Sequence, residues 1–487
     1  MNWKKAIPRN VILQIVGLTV FFWLYHKLAV YVMTTLNIRL GAIGPKAAPL
    51  YAQLRTAFSL WIIPAFITLT IYIVIFRVFF EKRKIPAYIL LLAFILLLVL
   101  IDTTVAMIDG GLKAVEEPYT RSGLEYYADV TKVEGIREFL RDYTKIFGTL
   151  SGHAQTHPPG GVLFLWLVSQ LFGRGLLQAA FSTIVFTSLT VIPVYLLAKE
   201  FYGENTAKYA LGLFLITPNM VMFTATAMDG PFSFFPIWSV YLFYKALSGR
   251  TVHFVHQRQS QSSKTVGFRR LQIRLTVLYS VLAGIALGFG MLMNYTTVVI
   301  GVFFIIATII TFFAKREKFK TTLLALFIAG ETFVLFYLCL YLWAKYNFLS
   351  ALWTSYKRDE GGMGTGYENP GRYFNVSIAN LFAFLIGVGI PLTTIWLHEI
   401  ASEFRRIIHS RTVDSYILAY VLTLLGISFS TLFTLEVERI WIFMVPFIVI
   451  PAAKHLYEKH RSWEFYAIAS LLCVQILLSE IFLYTYW

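Results

Sequence analysis

The sequence is poor in charge and in cysteine. Only 14% of its 487 residues are charged, against about 25% in soluble globular proteins. Its two cysteines, Cys339 and Cys473, both lie in apolar runs, which excludes a disulfide framework and a cysteine-based metal site. The first apolar run has no A-x-A cleavage site, so we expect no cleavable signal peptide. These features exclude a secreted disulfide-rich scaffold.

Apolar and aromatic residues are abundant, at 57% of the chain. Each crossing of a bilayer by a helix uses about 20 residues. The apolar residues could therefore supply a dozen or more crossings, far more than one soluble core could bury. This composition predicts an all-α polytopic membrane protein and excludes disordered, collagenous and coiled-coil chains.

Fourteen apolar segments follow one another between residues 11 and 486, and we predict about thirteen transmembrane helices plus one re-entrant hairpin. The hairpin is assigned to 206–228, because Thr217-Pro218-Asn219 at its midpoint removes a backbone hydrogen bond. The alternative is that 206–228 crosses as a kinked span and that 161–173, only thirteen residues long, fails to cross.

Lysine and arginine set the predicted orientation. The formal net charge is +16, and the connector 249–274 is strongly basic with no acidic residue. Basic loops of membrane proteins face anionic lipid in the cytoplasm, which explains this charge better than nucleic acid does. The longest polar segment, 109–160, then lies outside the cell membrane. We expect a multi-pass protein with its chemistry on the extracytoplasmic side.

These boundaries divide the chain into four parts. Residues 1–86 form an N-terminal two-span addition, and residues 87–248 form a core that includes the outer loop 109–160. A basic cytoplasmic loop covers 249–274. The C-terminal transmembrane bundle, 275–487, contains a second outer loop at 347–375.

The outer loop 109–160 carries the most informative acidic residues. Apolar residues at helical spacing over 131–147 predict a surface helix, so this loop is expected to be helical. Glu125 and Asp129 are four residues apart and would share one face of a helix. Mutual repulsion would raise the pKa of one carboxyl, as a general base near neutral pH requires. The alternative is that both are solvated loop acids.

Three motifs stand in register in and after the outer loop: Glu125-Tyr126-Tyr127-Ala128-Asp129, His157-Pro158-Pro159 and Asp229. Together they resemble the GT-C superfamily of membrane glycosyltransferases, which includes protein O-mannosyltransferases and lipid A aminoarabinose transferases. His157-Pro158-Pro159 enters an apolar helix in the manner of that family's H/K-P-P-L motif. The segment Glu125-Tyr126-Tyr127-Ala128-Asp129 occupies the place of the family's acidic D-E-x-x-Y-A motif. Asp229 follows at the spacing of the family's second outer aspartate. The resemblance covers roughly residues 105–245.

The resemblance implies an inverting transfer of a sugar from a polyprenyl-phosphate donor, with a carboxylate as base. The family's Asp-Glu pair is not reproduced, because Gly123 and Leu124 precede Glu125, so the base remains open among Glu125, Asp129 and Asp109. The departing phosphate needs cations aimed at it. The candidates for this role are His157, Arg439, Arg372, Arg358 and Lys357. The candidate substrate-binding residues are Asp229, Tyr126, Tyr127, His153, Glu436 and Asn294, with Asp229 expected on the acceptor side of the cavity.

Several of these residues have structural alternatives. Glu436 and Arg439 could form an interfacial ion pair, and Asn294 could be an interfacial anchor. The aromatic and glycine-rich loop 347–375 suits a mobile lid over a sugar or lipid, or an ordinary connector. His153 and His157 with Glu125 or Asp129 could hold a divalent metal ion, although spacing alone does not establish this.

The leading hypothesis is thus a cell-envelope glycosyltransferase that uses a polyprenyl-phosphate-linked sugar and a glycan, lipid or protein acceptor. A transporter or lipid flippase is the alternative, because a helix broken at Pro218 is typical of transporter substrate sites. The gathering of acids in one outer loop, rather than at the bilayer midplane, favours the enzyme. A non-catalytic membrane scaffold gives no reason for carboxylates beside His157-Pro158-Pro159.

Overall fold

The computed structural model describes residues 9–37, 50, 52, 54–80, 85–248, 263–314, 316–363, 369–410, 413–430, 432–433, 436–458 and 462–485. Within these ranges the regular structure is helical, apart from an isolated antiparallel bridge between Leu54 and Leu483. This confirms the predicted all-α class. Most of the basic loop, 249–262, and the glycine-rich residues 364–368 lie outside the described residues.

Twenty-one α-helices are described: α1 (Arg9–Thr35), α2 (Ile62–Ile75), α3 (Ala87–Ala106), α4 (Leu112–Glu116), α5 (Ile136–Ile146), α6 (Gly152–Thr156), α7 (Gly160–Phe172), α8 (Leu176–Ser188), α9 (Val191–Leu215), α10 (Pro218–Thr224), α11 (Asp229–Ser248), α12 (Ser263–Met293), α13 (Val298–Ala314), α14 (Arg316–Ala344), α15 (Phe348–Met363), α16 (Pro370–Val388), α17 (Ile390–Ser410), α18 (Ser415–Ser428), α19 (Val437–Ile440), α20 (Pro446–Glu458) and α21 (Ser462–Phe482). Short 3₁₀ segments include Met107–Asp109, Glu117–Thr120, Tyr126–Lys132 and Tyr295–Thr297.

Many of these helices are long and apolar enough to cross a membrane. Eight stretches of the described chain meet both conditions, among them Ala87–Asp109, Lys318–Ala344 and Trp463–Phe482. Three shorter apolar helices add to them. The chain is an integral multi-pass membrane protein, while the count of about thirteen crossings stays a prediction.

Helix α11 connects two ends of the bundle that differ in their partners. At its start, the Asp229 carboxylate lies 3.1 Å from the Arg439 guanidinium. Near its end, the Lys245 ammonium lies 2.7 Å from the Glu200 carboxylate. Its 20 residues span about 30 Å. We call these the cleft end, which holds Asp229, and the opposite end, which holds Lys245.

The segment 206–228 crosses the bundle, so the packing does not support the predicted hairpin. Gly203, at φ 85°, breaks α9 just after Glu200, at the opposite end. The chain then returns through the rest of α9 and α10 to Asp229 at the cleft end. Thr217 is extended, and Pro218 starts α10 at the first helical turn, where its missing N–H does no harm. The proline therefore kinks the segment without reversing it.

Helix α7 runs the other way and is short. Helix α8 continues into α9 toward Glu200, through Leu189 and Thr190 in helical conformation. Helix α7 packs antiparallel on α8, with Phe164 of early α7 5.0 Å from Phe186 of late α8. It therefore leads away from the opposite end, and its 13 residues span only about 20 Å. This packing favours the alternative that 161–173 fails to cross.

The loop 109–160 is helical, as predicted, and contains α4, α5 and α6. The surface helix begins at Ile136 rather than at 131, because Tyr126–Lys132 forms a 3₁₀ segment. The α5 helix buries Phe139, Leu140 and Tyr143 and turns charged residues outward. This loop packs as a layer across the cleft end.

Gly160 and Gly161 let α7 start close to that layer. A Cβ atom on Gly160 would lie 2.3 Å from the Leu292 carbonyl oxygen, and one on Gly161 would crowd Tyr126 and Phe232. Only glycine permits this approach, so the Pro159-Gly160-Gly161 sequence fixes where His157 sits relative to α11 and α12.

Candidate active site

A narrow cleft at the cleft end joins four parts of the chain. These parts are the 3₁₀ segment after Glu125, helix α6, the start of α11 and the short helix α19, which carries Arg439. The lining residues are Glu125, Tyr126, His153, His157, Met228, Asp229, Phe232 and Arg439. Six of these eight were predicted from the sequence as site residues.

Glu125 presents a buried carboxylate to the cleft. The residue is 6% exposed and precedes the 3₁₀ segment in extended conformation. Its Oε1 atom lies 3.3 Å from Nδ1 of His153 but accepts no hydrogen bond within the described part of the chain. A buried polar atom without a hydrogen bond is rare and marks a candidate functional group.

Arg439 lies across the cleft in an ion-pair cluster. One terminal nitrogen lies 3.1 Å from Oδ2 of Asp229, and the other donates to Glu436. The Nε atom is buried and has no hydrogen-bond acceptor among the described residues. The predicted Glu436–Arg439 ion pair is therefore present, and it leaves one donor of the guanidinium for another partner.

His157 is partly buried beside a second histidine and is neutral. Burial, followed by the repulsion of His153, lowers the pKa of His157 to about 3. Its Nδ1 lies 3.0 Å from the His153 carbonyl oxygen, which only accepts, so Nδ1 carries the hydrogen. Nε2 is left as an acceptor. A neutral imidazole does not fit the predicted role as a cation for the donor phosphate.

Tyr126 lies between the two carboxylates of the cleft. Its ring packs 5.7 Å from His153 and 5.8 Å from Phe232. Burial raises the pKa of the Tyr126 phenol well above its usual value, and the Asp229 and Glu125 carboxylates add to that shift. The phenol therefore keeps its proton and can donate a hydrogen bond in the cleft.

Asp129 is buried away from the cleft, although it was a candidate base. Its carboxylate accepts from the Lys132 ammonium at 2.7 Å, the Ser151 N–H at 2.9 Å and the Ser151 hydroxyl at 2.6 Å. The 3₁₀ turn points Asp129 away from Glu125, whereas an α-helix would have put both on one face. Asp129 holds the chain ahead of α6 in place.

Other predicted site residues also lie outside the cleft lining. Asp109 pairs with Arg55 at 3.4 Å, and Tyr127 packs against Tyr119. Asn294 caps the Tyr295–Thr297 segment by accepting from the Thr296 N–H at 2.9 Å. Asn294 thus has a structural role, as the cap of this segment, in place of the interfacial anchor considered from the sequence.

The remaining predicted cations lie on α15 and α16. Arg358 donates to Oε1 of Gln155 at 2.9 Å and so links α15 to α6. Lys357 lies over the Trp353 ring, and Arg372 lies near the start of α16. None of the three lines the cleft.

The sequence prediction missed the residues that hold the turn of Arg439. The backbone carbonyl oxygen of Glu438 accepts a hydrogen bond from Nδ2 of Asn219 at 3.1 Å. The side-chain Oε1 of Glu438 accepts one from the Ala52 N–H at 3.3 Å. Met228 and Phe232, which line the cleft, were missed as well. The break at Pro218-Asn219 is visible in the sequence, but Glu438, the hydrogen-bond partner of Asn219, lies 219 positions away in the chain.

The cleft does not provide a ligand set for a metal ion. Among the described residues no three His, Cys, Asp or Glu side chains are placed to hold a cation. Glu125 and His153 form only a pair, and Asp229 is engaged by the positive charge of Arg439. The residues present do not fit the divalent metal ion considered from the sequence.

Comparison with known proteins finds one family model that matches part of the chain. Residues 156–255 match the family model of dolichyl-phosphate-mannose-protein mannosyltransferase. This segment begins at the residue before His157 and includes Asp229, so it contains two of the three motifs. The search of curated protein sequences found no match.

Solved structures include distant neighbours. ArnT from Cupriavidus metallidurans in the apo state is 14% identical, with a TM-score of 0.40, over 66% of this chain and 54% of that one. The apo oligosaccharyltransferase of Archaeoglobus fulgidus is 14% identical, with a TM-score of 0.48, over 83% and 56%. This chain thus spans little more than half the length of these neighbours. On the family match and the motifs within it, the chain is similar to the GT-C superfamily of membrane glycosyltransferases.

Proposed function

We propose that the protein transfers a sugar from a polyprenyl-phosphate donor to an acceptor hydroxyl at the extracytoplasmic face of the membrane. The observation that carries this proposal is the cleft itself. It holds a buried carboxylate oxygen of Glu125 and, across from it, the Nε donor of Arg439, neither of which has a hydrogen-bond partner in the part of the chain that the structure describes. Those are the two groups that such a transfer requires: a base and a cation.

In the proposed reaction the acceptor oxygen attacks the anomeric carbon as the bond from that carbon to the phosphate oxygen breaks. Glu125 takes the proton of the attacking hydroxyl. The electron pair of the broken bond leaves with the phosphate, and Arg439 stabilises the charge that gathers there. Attack opposite the leaving group inverts the configuration of the sugar.

Asp229 has a different place in this scheme from the one expected at first. The sequence predicted that it lines the acceptor side. Its contact with the Arg439 guanidinium supports a role on the phosphate side, where it would orient the arginine with the help of Glu436. The Asp229 carboxylate is already engaged by Arg439, whereas Oε1 of Glu125 accepts no hydrogen bond from the described residues.

Two further observations support a lipid-linked donor. The matched family is named for a dolichyl-phosphate sugar, and the match includes His157 and Asp229. Helix α7, which starts just after His157, forms an apolar groove of about 850 Å³ with α8. An apolar groove on the helix that follows the cleft residue His157 suits a donor with a hydrocarbon chain.

The basic loop supports the orientation. Helix α11 ends at Ser248 at the opposite end, and the predicted basic loop 249–274 follows it in the chain, its last part, from Ser263, forming the start of α12. Because basic loops face the cytoplasm, this charge supports a cleft end on the extracytoplasmic side. Cysteine labelling at Gly148 and Ser262, in a Cys339→Ser background, tests this. Labelling of both from the same side would contradict the orientation.

The activity can be tested with the purified protein in lipid nanodiscs. Radiolabelled polyprenyl-phosphate mannose or glucose is supplied with a membrane extract as acceptor, and release of free polyprenyl phosphate is measured. Wild-type protein should release it, and Glu125→Gln should not. Glu134→Gln, an exposed acid in the same loop, is the matched control and should behave like wild type.

The same donor separates the enzyme from the transporter alternative. A flippase reconstituted in vesicles would move the sugar lipid between leaflets without cleaving it. Intact donor that changes leaflet, with no release of polyprenyl phosphate from any supplied sugar lipid, would overturn the proposed function.

A further inference from the structure

Helix α15 carries an exposed apolar surface beside the site. Leu349, Trp353 and Tyr356 are 72%, 61% and 46% exposed and recur at spacings of four and three residues. They therefore lie on one side of the helix. We call this surface, made of Leu349, Trp353 and Tyr356, the α15 aromatic face. In water, three large apolar side chains on one face would be unfavourable.

The other side of α15 packs on the loop that forms the cleft. Ala351 and Ser355 are buried, and the Phe348 ring lies 4.2 Å from the ring of Tyr337. Arg358 donates to Gln155 of α6, the helix that also carries His153. Helix α15 therefore lies at the same end of the bundle as the cleft and at a similar depth.

Positive charge accompanies the aromatic rings. The Lys357 ammonium lies 5.0 Å from the centre of the Trp353 ring and 5.9 Å from that of Tyr356, and the two rings stack at 5.7 Å. Aromatic residues with lysine are typical of the boundary between lipid and water, where the ammonium reaches lipid phosphates.

The α15 aromatic face continues the exposed surface of α14. The last turns of α14 expose Leu338, Tyr341, Leu342 and Trp343. Helix α14 includes the candidate span Lys318–Ala344. Lys345, over the Tyr341 ring at 5.6 Å, then turns the chain with a positive φ of 56°. Exposed apolar side chains are therefore present both at the end of a candidate membrane span and on α15, which follows it in the chain.

We propose that α15 lies along the bilayer surface, with its aromatic face among the lipid headgroups and the adjoining ends of the acyl chains. Lys357 then reaches the phosphates of those lipids. Because α15 also packs on α6, this anchoring holds the cleft at headgroup depth. The inference rests on α14 and α15 alone and does not depend on the proposed activity.

Depth-dependent quenching of a fluorophore tests the proposal. In a Cys339→Ser background, a nitrobenzoxadiazole label is attached at Trp353→Cys, and the protein is placed in vesicles of phosphatidylcholine and phosphatidylglycerol. The vesicles carry a nitroxide at carbon 5 or at carbon 12 of the acyl chain. Label at 353 should be quenched at least twofold more by the shallow nitroxide than by the deep one.

Two control positions calibrate the result. Leu335→Cys, on the exposed side of α14 and about 14 Å below Ala344, should be quenched more by the deep nitroxide. Lys145→Cys, on α5 with a side chain that is 72% exposed, should be quenched by neither. A label at 353 that behaves like the label at 145 would overturn the proposal.

A second variant guards against a coincidental contact. With the label at Leu349→Cys, replacing both Trp353 and Tyr356 by serine should reduce quenching by the shallow nitroxide by about half or more. These side chains are exposed, so the fold should tolerate the change. Unchanged quenching in that variant would contradict a bilayer-bound face. So would a label that is quenched by other labelled copies of the chain and not by the nitroxide lipids.

Discussion

Two buried clusters of charge lie at the two ends of this bundle, and they differ in how completely their atoms are paired. The cleft cluster consists of Glu125, Asp229, Glu436 and Arg439. The opposite-end network consists of Glu399, Glu403, Arg406, Asp414, Lys454 and His455. Both contain carboxylates beside cations, so composition alone does not distinguish them.

In the opposite-end network the carboxylates are saturated. Glu399 accepts from Lys454 at 2.8 Å through one oxygen and meets Nδ1 of His455 at 3.1 Å through the other. Glu403 accepts from the Asp414 N–H and from Arg406, and Asp414 accepts from the hydroxyl of Tyr202 at 2.8 Å. In the cleft, Glu125 and Arg439 each keep a buried atom with no hydrogen bond to the described chain.

The difference separates stability from chemistry. A saturated network holds helices together and has nothing left for a ligand. Leaving a buried polar atom without a hydrogen bond costs about 1–3 kcal/mol, which a bound substrate can recover. The comparison therefore assigns chemistry to the cleft end and structural support to the opposite end.

The largest effect is expected for Glu125→Gln, which keeps the size of the side chain and removes its basicity. Loss of a general base should lower the rate of sugar transfer about 10²–10⁴-fold, with the helical content unchanged. Release of polyprenyl phosphate measures this. Turnover equal to that of Glu134→Gln would remove Glu125 from the role.

Glu399→Gln should have its main effect on stability. It leaves the buried ammonium of Lys454 without a carboxylate, and breaking a buried pair in this way typically costs about 3–5 kcal/mol. Thermal unfolding in detergent measures the loss, and the activity of each folded molecule should not change. An undiminished unfolding temperature would show that the network does not support the fold.

Arg439→Lys retains the positive charge but removes the planar group that contacts Asp229 and Glu436 together. We expect transfer to slow about 10²-fold, comparable to the loss of one preorganised donor. Binding of polyprenyl phosphate should weaken in parallel. If the variant lowers only the protein yield, the cluster is an ion pair for stability, like the opposite-end network.

The smallest effect is expected for Asp129→Asn, whose carboxylate is saturated although it lies in the same loop as Glu125. Its loss should cost about 1–3 kcal/mol of stability through the Ser151 and Lys132 contacts. Specific activity should stay within a few-fold of wild type. A drop as large as that of Glu125→Gln would make Asp129 part of the chemistry.

The sequence was sufficient for much of the fold and part of the cleft. Composition predicts the helical membrane class, and three short motifs predict Glu125, His157 and Asp229, which the structure brings together. Local patterns failed where tertiary contacts decide. The spacing of Glu125 and Asp129 suits an α-helix, but the chain forms a 3₁₀ turn that separates them.

Other errors have the same origin. Pro218 signals a break, but the pairing of Glu200 with Lys245 puts the start of this segment at the opposite end of the bundle, which argues against a hairpin. His157 looks like a cation until its burial and its contact with the His153 carbonyl are seen. Asn219 gave no sign that it holds the turn before Arg439.

The most direct test of the account measures transfer per folded molecule for Glu125→Gln and Glu399→Gln side by side, in identical nanodiscs with the same polyprenyl-phosphate sugar. The account predicts that Glu125→Gln is folded and nearly inactive, and that the surviving folded fraction of Glu399→Gln turns over like wild type. Full turnover by folded Glu125→Gln, or loss of turnover by folded Glu399→Gln, would contradict the assignment of chemistry to the cleft end.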